Sequence, residues 1–300
     1  MKRKDLKKIG KVSIIVPVFN YEKLVVRCVD SLLNQTIKNK EVICVDDKST
    51  DNSYEVLKRT FGKKIQLYKN PSKGKAKAIN YALSKATGDF VFIADADAYY
   101  AGDYLEKLLP LLNKKGVGGA IGHLIVPNKD KSWFSKTAFL EREKKFKNYT
   151  PISAWLFRKK VLDELGGFDS RLRAHDEVIL GRLMKKRGFK IGYADDALWY
   201  HNEKESLKQL FRQQVWWGKG YVDTLKYYGW VSKPIIINSF LALLSLFFAF
   251  FHYFLLAFFV WLAYLLFLVF LTSSFSIAVL KFLRGLFQTV GFWKSLIFYN

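Results

Sequence analysis

Phe90–Tyr100 reads FVFIADADAYY. A run of apolar and aromatic side chains stops at two aspartates separated by one alanine. A buried strand that ends in two carboxylates needs a partner for them, because an uncompensated buried charge is costly. The stretch closes a series that begins with "VSIIVPVF" (Val12–Phe19), a continuous apolar run of the kind a parallel strand covered on both faces requires. "EKLVVRCVDSLLNQ" follows, with Leu24, Val25, Cys28 and Leu32 at helical spacing. "EVICVDD" (Glu41–Asp47) reads as a second strand. "STDNSYEVLKRTFG" then starts a helix with Ser49, Thr50 or Asp51 as its cap. "KIQLYKN" is a third strand, "GKAKAINYALSKATG" a helix closed by Gly88, and "DFVFIADAD" a fourth strand. This strand–helix alternation predicts an α/β fold, with a mostly parallel sheet and helices on both faces. Ligands of such sheets bind beyond the carboxyl ends of the strands. Asp46, Asp47, Asp95 and Asp97 all fall there, and two acidic strand ends at one edge are more specific than either alone.

The chain has 300 residues, enough for one large domain or two small ones. Half of it is hydrophobic, and the formal charge is +23, from 49 Lys+Arg against 26 Asp+Glu. That balance suggests a polyanionic partner: nucleic acid, anionic lipid or a phosphate-bearing substrate. Cys28 and Cys44 are the two cysteines; they imply no disulfide framework and fit a reducing, cytoplasmic environment. The start, "MKRKDLKKIG", is basic but no long apolar run follows it, so no signal peptide is expected.

From Ile235 to Leu271 there is no charged residue. One helix of that length would reach about 55 Å, against about 30 Å for a bilayer core, whereas two helices fit. A turn is expected at the polar pair His252–Tyr253. Lys226 and Lys233 precede this hairpin, and Lys281, Arg284 and Lys294 follow it. The positive-inside rule then places both outer flanks in the cytoplasm. The stretch from about 275 to 298 mixes apolar residues with spaced cations and reads as interfacial, or as a third hydrophobic segment.

"VSIIVPVFNYEKLVVRCVDSLLNQT", "EVICVDDKSTDNS", "GKAKAINYALSKATGDFVFIADADA" and "GGFDSRLRAHDEVILGRLMKKRGFKI", from about Val12 to about Tyr221, together resemble a family-2 glycosyltransferase of the GT-A fold. The apolar C-terminal part resembles its membrane-associated branch. The resemblance implies a Rossmann-like GT-A domain plus C-terminal transmembrane helices. It also implies metal-dependent, inverting transfer of a hexosyl or N-acetylhexosaminyl group from a nucleotide-sugar donor, UDP being favoured. The expected organisation is a basic tail (1–10), a glycosyltransferase domain (11–230; nucleotide-binding half 11–100, acceptor half 101–230) and a membrane region (231–300, hairpin about 235–271). The expected setting is a multi-pass anchor in the cell membrane, with the active site facing the cytoplasm. The partners would be a lipid-linked or surface-glycan acceptor and anionic membrane lipid.

A sugar-diphosphate donor loses a charged leaving group, and a hard cation, Mg2+ or Mn2+, offsets that charge through carboxylate ligands. Asp95 and Asp97 alternate along the expected strand and so point the same way; they are read as holding a metal–diphosphate pair. By resemblance Asp97 is the direct ligand, Asp95 lies nearer the ribose or a metal-bound water, and His201 completes the metal site in some relatives. The resemblance places Asp46 and Asp47 on the base or ribose, although an Asx-turn opening the next helix accounts for one of them. Pro17, Phe19 and Glu22 resemble the base-binding edge. Lys75, at a helix N-terminus where a cation opposes the macrodipole, suggests a nearby anion and is expected near the phosphates. In "HDEVILGRL", Asp176–Glu177 stand where the family has Glu-Asp; counting back from Gly188–Phe189 aligns Glu177 with its catalytic aspartate. "LFRQQVWWGKG" resembles the Gln-x-x-Arg-Trp motif that covers diphosphate and acceptor. Gln213 and Trp217 match it. Trp216 replaces the arginine, leaving Arg212 or Lys219 as phosphate partners.

Other classes fit less well. The basic residues are scattered, without a nucleic-acid readout motif, so no nucleic-acid partner is expected. "VPVFNYEK" is not the glycine-rich basic loop of a nucleotidyltransferase. An inactive nucleotide-sugar-binding scaffold for another membrane glycosyltransferase remains the alternative, although every expected carboxylate is present.

Overall fold

A computed structural model describes residues 10–145, 155–250 and 254–298. Residues 1–9 of the basic tail and the turn expected at His252–Tyr253 lie outside the described residues. In chain order the elements are β1 (Val12–Val18), α1 (Val25–Leu33), β2 (Lys40–Asp46), α2 (Ser53–Phe61), β3 (Gln66–Lys69), α3 (Lys75–Lys85), β4 (Phe90–Ile93), β5 (Ala98–Tyr100), α4 (Tyr104–Leu108), β6 (Val117–Ile125), α5 (Trp133–Lys145), β7 (Leu156–Arg158), α6 (Lys159–Leu165), α7 (Asp176–Lys186), β8 (Lys190–His201), α8 (Leu207–Tyr228), α9 (Lys233–Phe250), α10 (Phe254–Thr272) and α11 (Phe275–Ile297). The described residues form two compact units. One is drawn from residues 10–127, 155–171 and 176–202, the other from 128–145, 172–175, 203–250 and 254–298.

The first unit is built on one mixed sheet of order β3-β2-β1-β4-β7-β6-β8-β5. Strands β3, β2, β1 and β4 run parallel, as the alternation predicts. Beyond them β7 joins antiparallel to β4 and β6, and β5 antiparallel to β8, while β6 and β8 are parallel. The two faces of the parallel half are covered by different helices because side chains alternate along each strand. Ile14, Val16, Val42 and Cys44 pack with Val25, Val29 and Leu32 of α1 and with Leu57 of α2. Ile15, Ile43 and Val45 pack with Ala78, Ile79 and Ala82 of α3 and with Leu180 and Met184 of α7. Fully burying one such branched side chain contributes about 1.5–3 kcal/mol. Pro17 is tolerated in this central strand because the β1–β4 pairing ends at Ile15↔Ile93, before its missing N–H would be needed there.

Two sequence expectations are corrected. The fourth strand stops at Ile93 rather than Asp97. Asp95–Asp97 instead form a turn, closed by Ala98 N–H donating to the Asp95 carbonyl at 3.1 Å. The α2 helix begins at Ser53 with Asn52 in the cap position, so none of Ser49, Thr50 and Asp51 is its cap. Asp51 acts one residue earlier, accepting from the Ser53 N–H at 3.0 Å and its hydroxyl at 2.5 Å. At the opposite end of the sheet, Glu41 takes hydrogen bonds from Lys11, Ser13 and Thr87. Burial alone would raise its carboxyl, but these donors outweigh it and bring the pKa down to about 2.

In the second unit α8 opens with the Ser206 hydroxyl accepting from Gln209 N–H and closes at Gly229 in the left-handed region. It crosses α11 at glycines. A Cβ on Gly218 would lie 2.0 Å from the Gln288 carbonyl oxygen, and one on Gly291 2.0 Å from that of Val215. Gln288 donates to Gln214 across this crossing at 2.7 Å. Arg173 forks onto Asp223 at 2.8 and 2.9 Å, and Arg284 of α11 pairs with Glu141 of α5 at 2.5 Å. Among the described residues, Leu255–Thr272 and Phe275–Ile297 are long and apolar enough to cross a membrane. The helices α8 and α9 meet at a bend of 106°.

Candidate active site

The carboxyl edge of the parallel strands gathers residues from four elements. The β4–β5 turn supplies Asp95 and Asp97. His201, the last residue of β8, reaches Asp97 Oδ2 with its Nε2 at 3.3 Å, because β5 and β8 pair Ala98 with His201. Lys75, the first residue of α3, brings its Nζ to 3.6 Å from Asp95 Oδ1 and onto Glu177 Oε1, at the start of α7. The anions beside Lys75 in this structure are protein carboxylates, Asp95 and Glu177, which lie more than 80 residues apart in sequence.

The electrostatics divide these groups. Burial disfavours charge on Lys75, but Glu177, Asp95 and Asp176 more than offset it and hold its pKa well above the usual range. Burial likewise works against Glu177, and the Lys75 ammonium overcomes it, so this carboxyl is held below its ordinary value. Asp176 goes the other way. Burial, then the charge of Glu177, pushes it well up, and its Oδ2 is buried without a hydrogen-bond partner. Asp95 is raised by burial and by the like charges of Asp97 and Glu177, against the pull of Lys75.

Asp47 is committed to the fold: its carboxylate accepts from Asn70 Nδ2 at 2.6 Å and from the Gly74 N–H at 2.8 and 3.0 Å. Gly74 has φ +134, a conformation suited to glycine, so Asp47 fixes the residue from which Lys75 projects. Asp46 accepts from Ser49 N–H at 3.3 Å through Oδ2, the turn contact foreseen for one of the pair. Its Oδ1 is buried with no hydrogen-bond partner. Glu22 accepts from Asn52 N–H at 3.3 Å and Nδ2 at 3.2 Å, tying the loop after β1 to the loop before α2. Phe19 is exposed, with Lys73 Nζ 5.1 Å above its ring.

Arg212, Gln213, Trp216 and Trp217 all lie on α8, in the second unit. Trp216 is exposed, so it is not packed as core. Gln213 accepts from Gln214 at 3.2 Å. The Trp217 carbonyl bonds His175 Nε2 at 2.8 Å, and the His175 ring stacks on Tyr221 at 3.9 Å.

Sequence reasoning passed over three residues of the site. The Tyr21 hydroxyl hydrogen-bonds Asp97, and burial with the neighbouring aspartates pushes its phenol up. Cys28 and Tyr100 bond the main chain of Asp95. No local pattern marks them, although the aromatic pair that ends the opening stretch contains one.

Asp95, Asp97 and His201 offer carboxylate and imidazole donors of the type Mg2+ and Mn2+ accept, and the single ammonium of Lys75 is shared by Asp95 and Glu177, leaving negative charge to be offset. Among the described residues no group of three or more His, Cys, Asp or Glu side chains is arranged to hold a metal ion, so these side chains could supply only part of an ion's coordination.

Comparisons with known proteins agree with this architecture. The chain is 27% identical over 246 residues to the probable glycosyltransferase YdaM of Bacillus subtilis, covering 73% of this chain; it spans 57% of that relative's length. It is 25% identical over 251 residues to a dolichyl N-acetyl-α-D-glucosaminyl phosphate 3-β-D-2,3-diacetamido-2,3-dideoxy-β-D-glucuronosyltransferase of Methanococcus voltae, covering 71% of this chain and 76% of that one. Among solved structures, the mannosyltransferase PcManGT of Pyrobaculum calidifontis, in complex with GDP-Man and Mn2+, matches with a TM-score of 0.64 at 20% identity, over 97% of this chain and 88% of that one. That likeness shows the GT-A fold. A model of glycosyl transferase family 21 matches residues 152–298. The model of glycosyl transferase family 2 matches residues 13–170, more than half of the chain, and the chain belongs to that family.

Proposed function

We propose that this glycosyltransferase is an inverting, Mg2+- or Mn2+-dependent enzyme that moves a sugar from a nucleotide-diphosphate donor, a UDP-sugar by preference, to a lipid-linked or surface-glycan acceptor at the cytoplasmic face of the membrane. The observation that carries the reading is the convergence of Asp95, Asp97, His201, Lys75 and Glu177 at the carboxyl edge of the sheet. Asp97, with Asp95 and His201, would hold the cation, which when bound offsets charge on the departing diphosphate. Asp46 has an unsatisfied buried oxygen for a nucleoside hydroxyl or N–H, and Pro17, Phe19 and Glu22 form the edge beside it. Lys75 exchanges a protein carboxylate for the diphosphate when the donor arrives. Glu177 takes the acceptor proton as the hydroxyl attacks. The Methanococcus voltae relative is named for a dolichyl phosphate-linked acceptor, which favours a lipid-linked acceptor here. The test is a screen of labelled UDP- and GDP-sugars with the purified full chain and extracted membrane lipids. Transfer of label from one donor to a lipid is expected; nucleotide-sugar binding without transfer or hydrolysis of any donor would favour the scaffold alternative.

The membrane reading extends to topology. In this reading the membrane region begins at about 231. The helices α9 and α10 cross and return as a hairpin. Helix α11 lies along the interface, because its Arg284 is paired with Glu141 and its Gln288 with Gln214, polar groups that are expensive inside hydrocarbon. Anionic lipid would attract its cations. Cysteines introduced singly beside Lys226 and Lys294 should both resist an impermeant thiol reagent in intact cells. Labelling beside Lys294 alone would mean an odd number of crossings.

A further inference from the structure

The turn that carries Asp95 and Asp97 is held from beneath by side chains that touch no ligand position. The Asp95 N–H donates to the Tyr100 hydroxyl at 3.0 Å. The Asp95 carbonyl accepts from the Cys28 thiol at 3.3 Å. Both side chains are buried, Tyr100 being 4% and Cys28 0% exposed. They are linked in turn: the Ser31 hydroxyl accepts from Tyr100 N–H at 3.1 Å and donates to the Cys28 carbonyl at 2.7 Å. Thus α1 and β5 together bond both main-chain polar groups of the residue between the strand end and the second aspartate.

Such a cradle has a physical purpose. Two like-charged carboxylates, half-buried one residue apart in a turn, repel each other. A turn with a free backbone relaxes by swinging them apart, and a cation then has to draw them together again. We infer that Tyr100, with Cys28, is a positioning residue that preorganises the Asp95–Asp97 turn for a divalent cation. The inference rests on the reading of Asp95 and Asp97 as the cation carboxylates. Groups that orient ligands from behind act on metal affinity in this way, typically by 10–100-fold.

The protein contains its own control. Tyr104, also buried, accepts the Gly122 N–H with its hydroxyl at 3.2 Å, and its ring lies 5.4 Å from that of Tyr100. Tyr100→Phe and Tyr104→Phe therefore each delete one buried hydroxyl that satisfies one backbone N–H, but only the first lies under the turn. The experiment titrates Mn2+ into the full chain in detergent and counts free ion by electron paramagnetic resonance, with melting temperature recorded for each variant. Tyr100→Phe is expected to weaken Mn2+ binding about 10–100-fold, and Tyr104→Phe to leave it within about twofold at a similar loss of melting temperature. If Tyr100→Phe does not fold, Cys28→Ala reads the other bond, with several-fold weaker binding expected and recovery in Cys28→Ser. Affinity unchanged in Tyr100→Phe, or lowered equally by Tyr104→Phe, overturns the inference while the carboxylate reading stands. No Mn2+ binding by the wild type, or binding that survives Asp97→Asn, overturns the carboxylate reading itself and the inference with it.

Discussion

Replacing Glu177 with glutamine is expected to lower sugar transfer at least about 10²-fold, with nucleotide and cation binding retained. An inverting transfer needs the acceptor hydroxyl deprotonated as it attacks. Asp176 and Glu177 are adjacent at the start of α7, and about 100° of helix separates their directions, so one of them can face the acceptor. The electrostatics favour Glu177. Burial and the charge of Glu177 push the Asp176 carboxyl well above the usual carboxylate range, which disfavours its charged form. Glu177 is held ionised by Lys75, against the effect of burial. Because its pKa is depressed, Glu177 is deprotonated above that value and loses its charge only as pH falls below the usual carboxylate range. The acid limb of the kcat/KM profile, which reports the free enzyme with Lys75 still on Glu177, should therefore lie below the usual glutamate range. If the two acids only favour the helix N-terminus, each amide variant would lose about 1 kcal/mol of stability and little activity. Measuring transfer and nucleotide affinity separately decides the matter. A dead Asp176→Asn beside an active Glu177→Gln would exchange the two roles, and activity in both would remove this mechanism.

Chelation is expected to abolish donor turnover, with recovery on adding Mn2+ or Mg2+, and Asp97→Ala should lose turnover on the order of 10³-fold because several kcal/mol of charge stabilisation depend on its carboxylate. The structure sharpens that expectation. Asp97 is contacted by His201 at 3.3 Å and by the Tyr21 hydroxyl, whereas Asp95 is engaged by Lys75 at 3.6 Å. Asp95→Ala therefore also releases a partner of Lys75, so its effect mixes cation and donor binding, and Asp97→Ala is the cleaner probe. Turnover assayed with excess chelator, then with each ion restored, reads the dependence directly. Full activity of Asp97→Ala in chelator would sink the metal reading.

Much of the architecture was legible in the residue pattern. Apolar runs at Val12–Val18 and Val42–Val45, with helical spacing between them, specify parallel strands because both faces of each strand must be covered. The acidic ends of those strands marked the functional edge. The long uncharged stretch after Ile235 marked apolar helices, because its composition leaves few soluble alternatives. These features are carried by residues within a few positions of one another, so local periodicity alone is enough to show them.

The tertiary structure decided the rest. Where β4 stops depends on its pairing with β1, which ends at Ile15↔Ile93, so the two aspartates converge through a turn rather than along a strand. Asp47 is adjacent to Asp46 yet serves a different purpose, because Gly74 and Asn70 fold back onto it alone. Gly218 and Gly291 look like ordinary helix residues until α8 and α11 cross at them. Lys75 and Glu177 stand 102 positions apart, and no spacing rule connects them. The sequence by itself determined the four parallel strands β1–β4, the helices between them and the apolar C-terminal stretch, since each is set by contacts between near neighbours. Which charges meet, and which carboxylate is left ionised, depended on sheet order and helix placement, because burial and distance set those energies and both exist only in the folded chain.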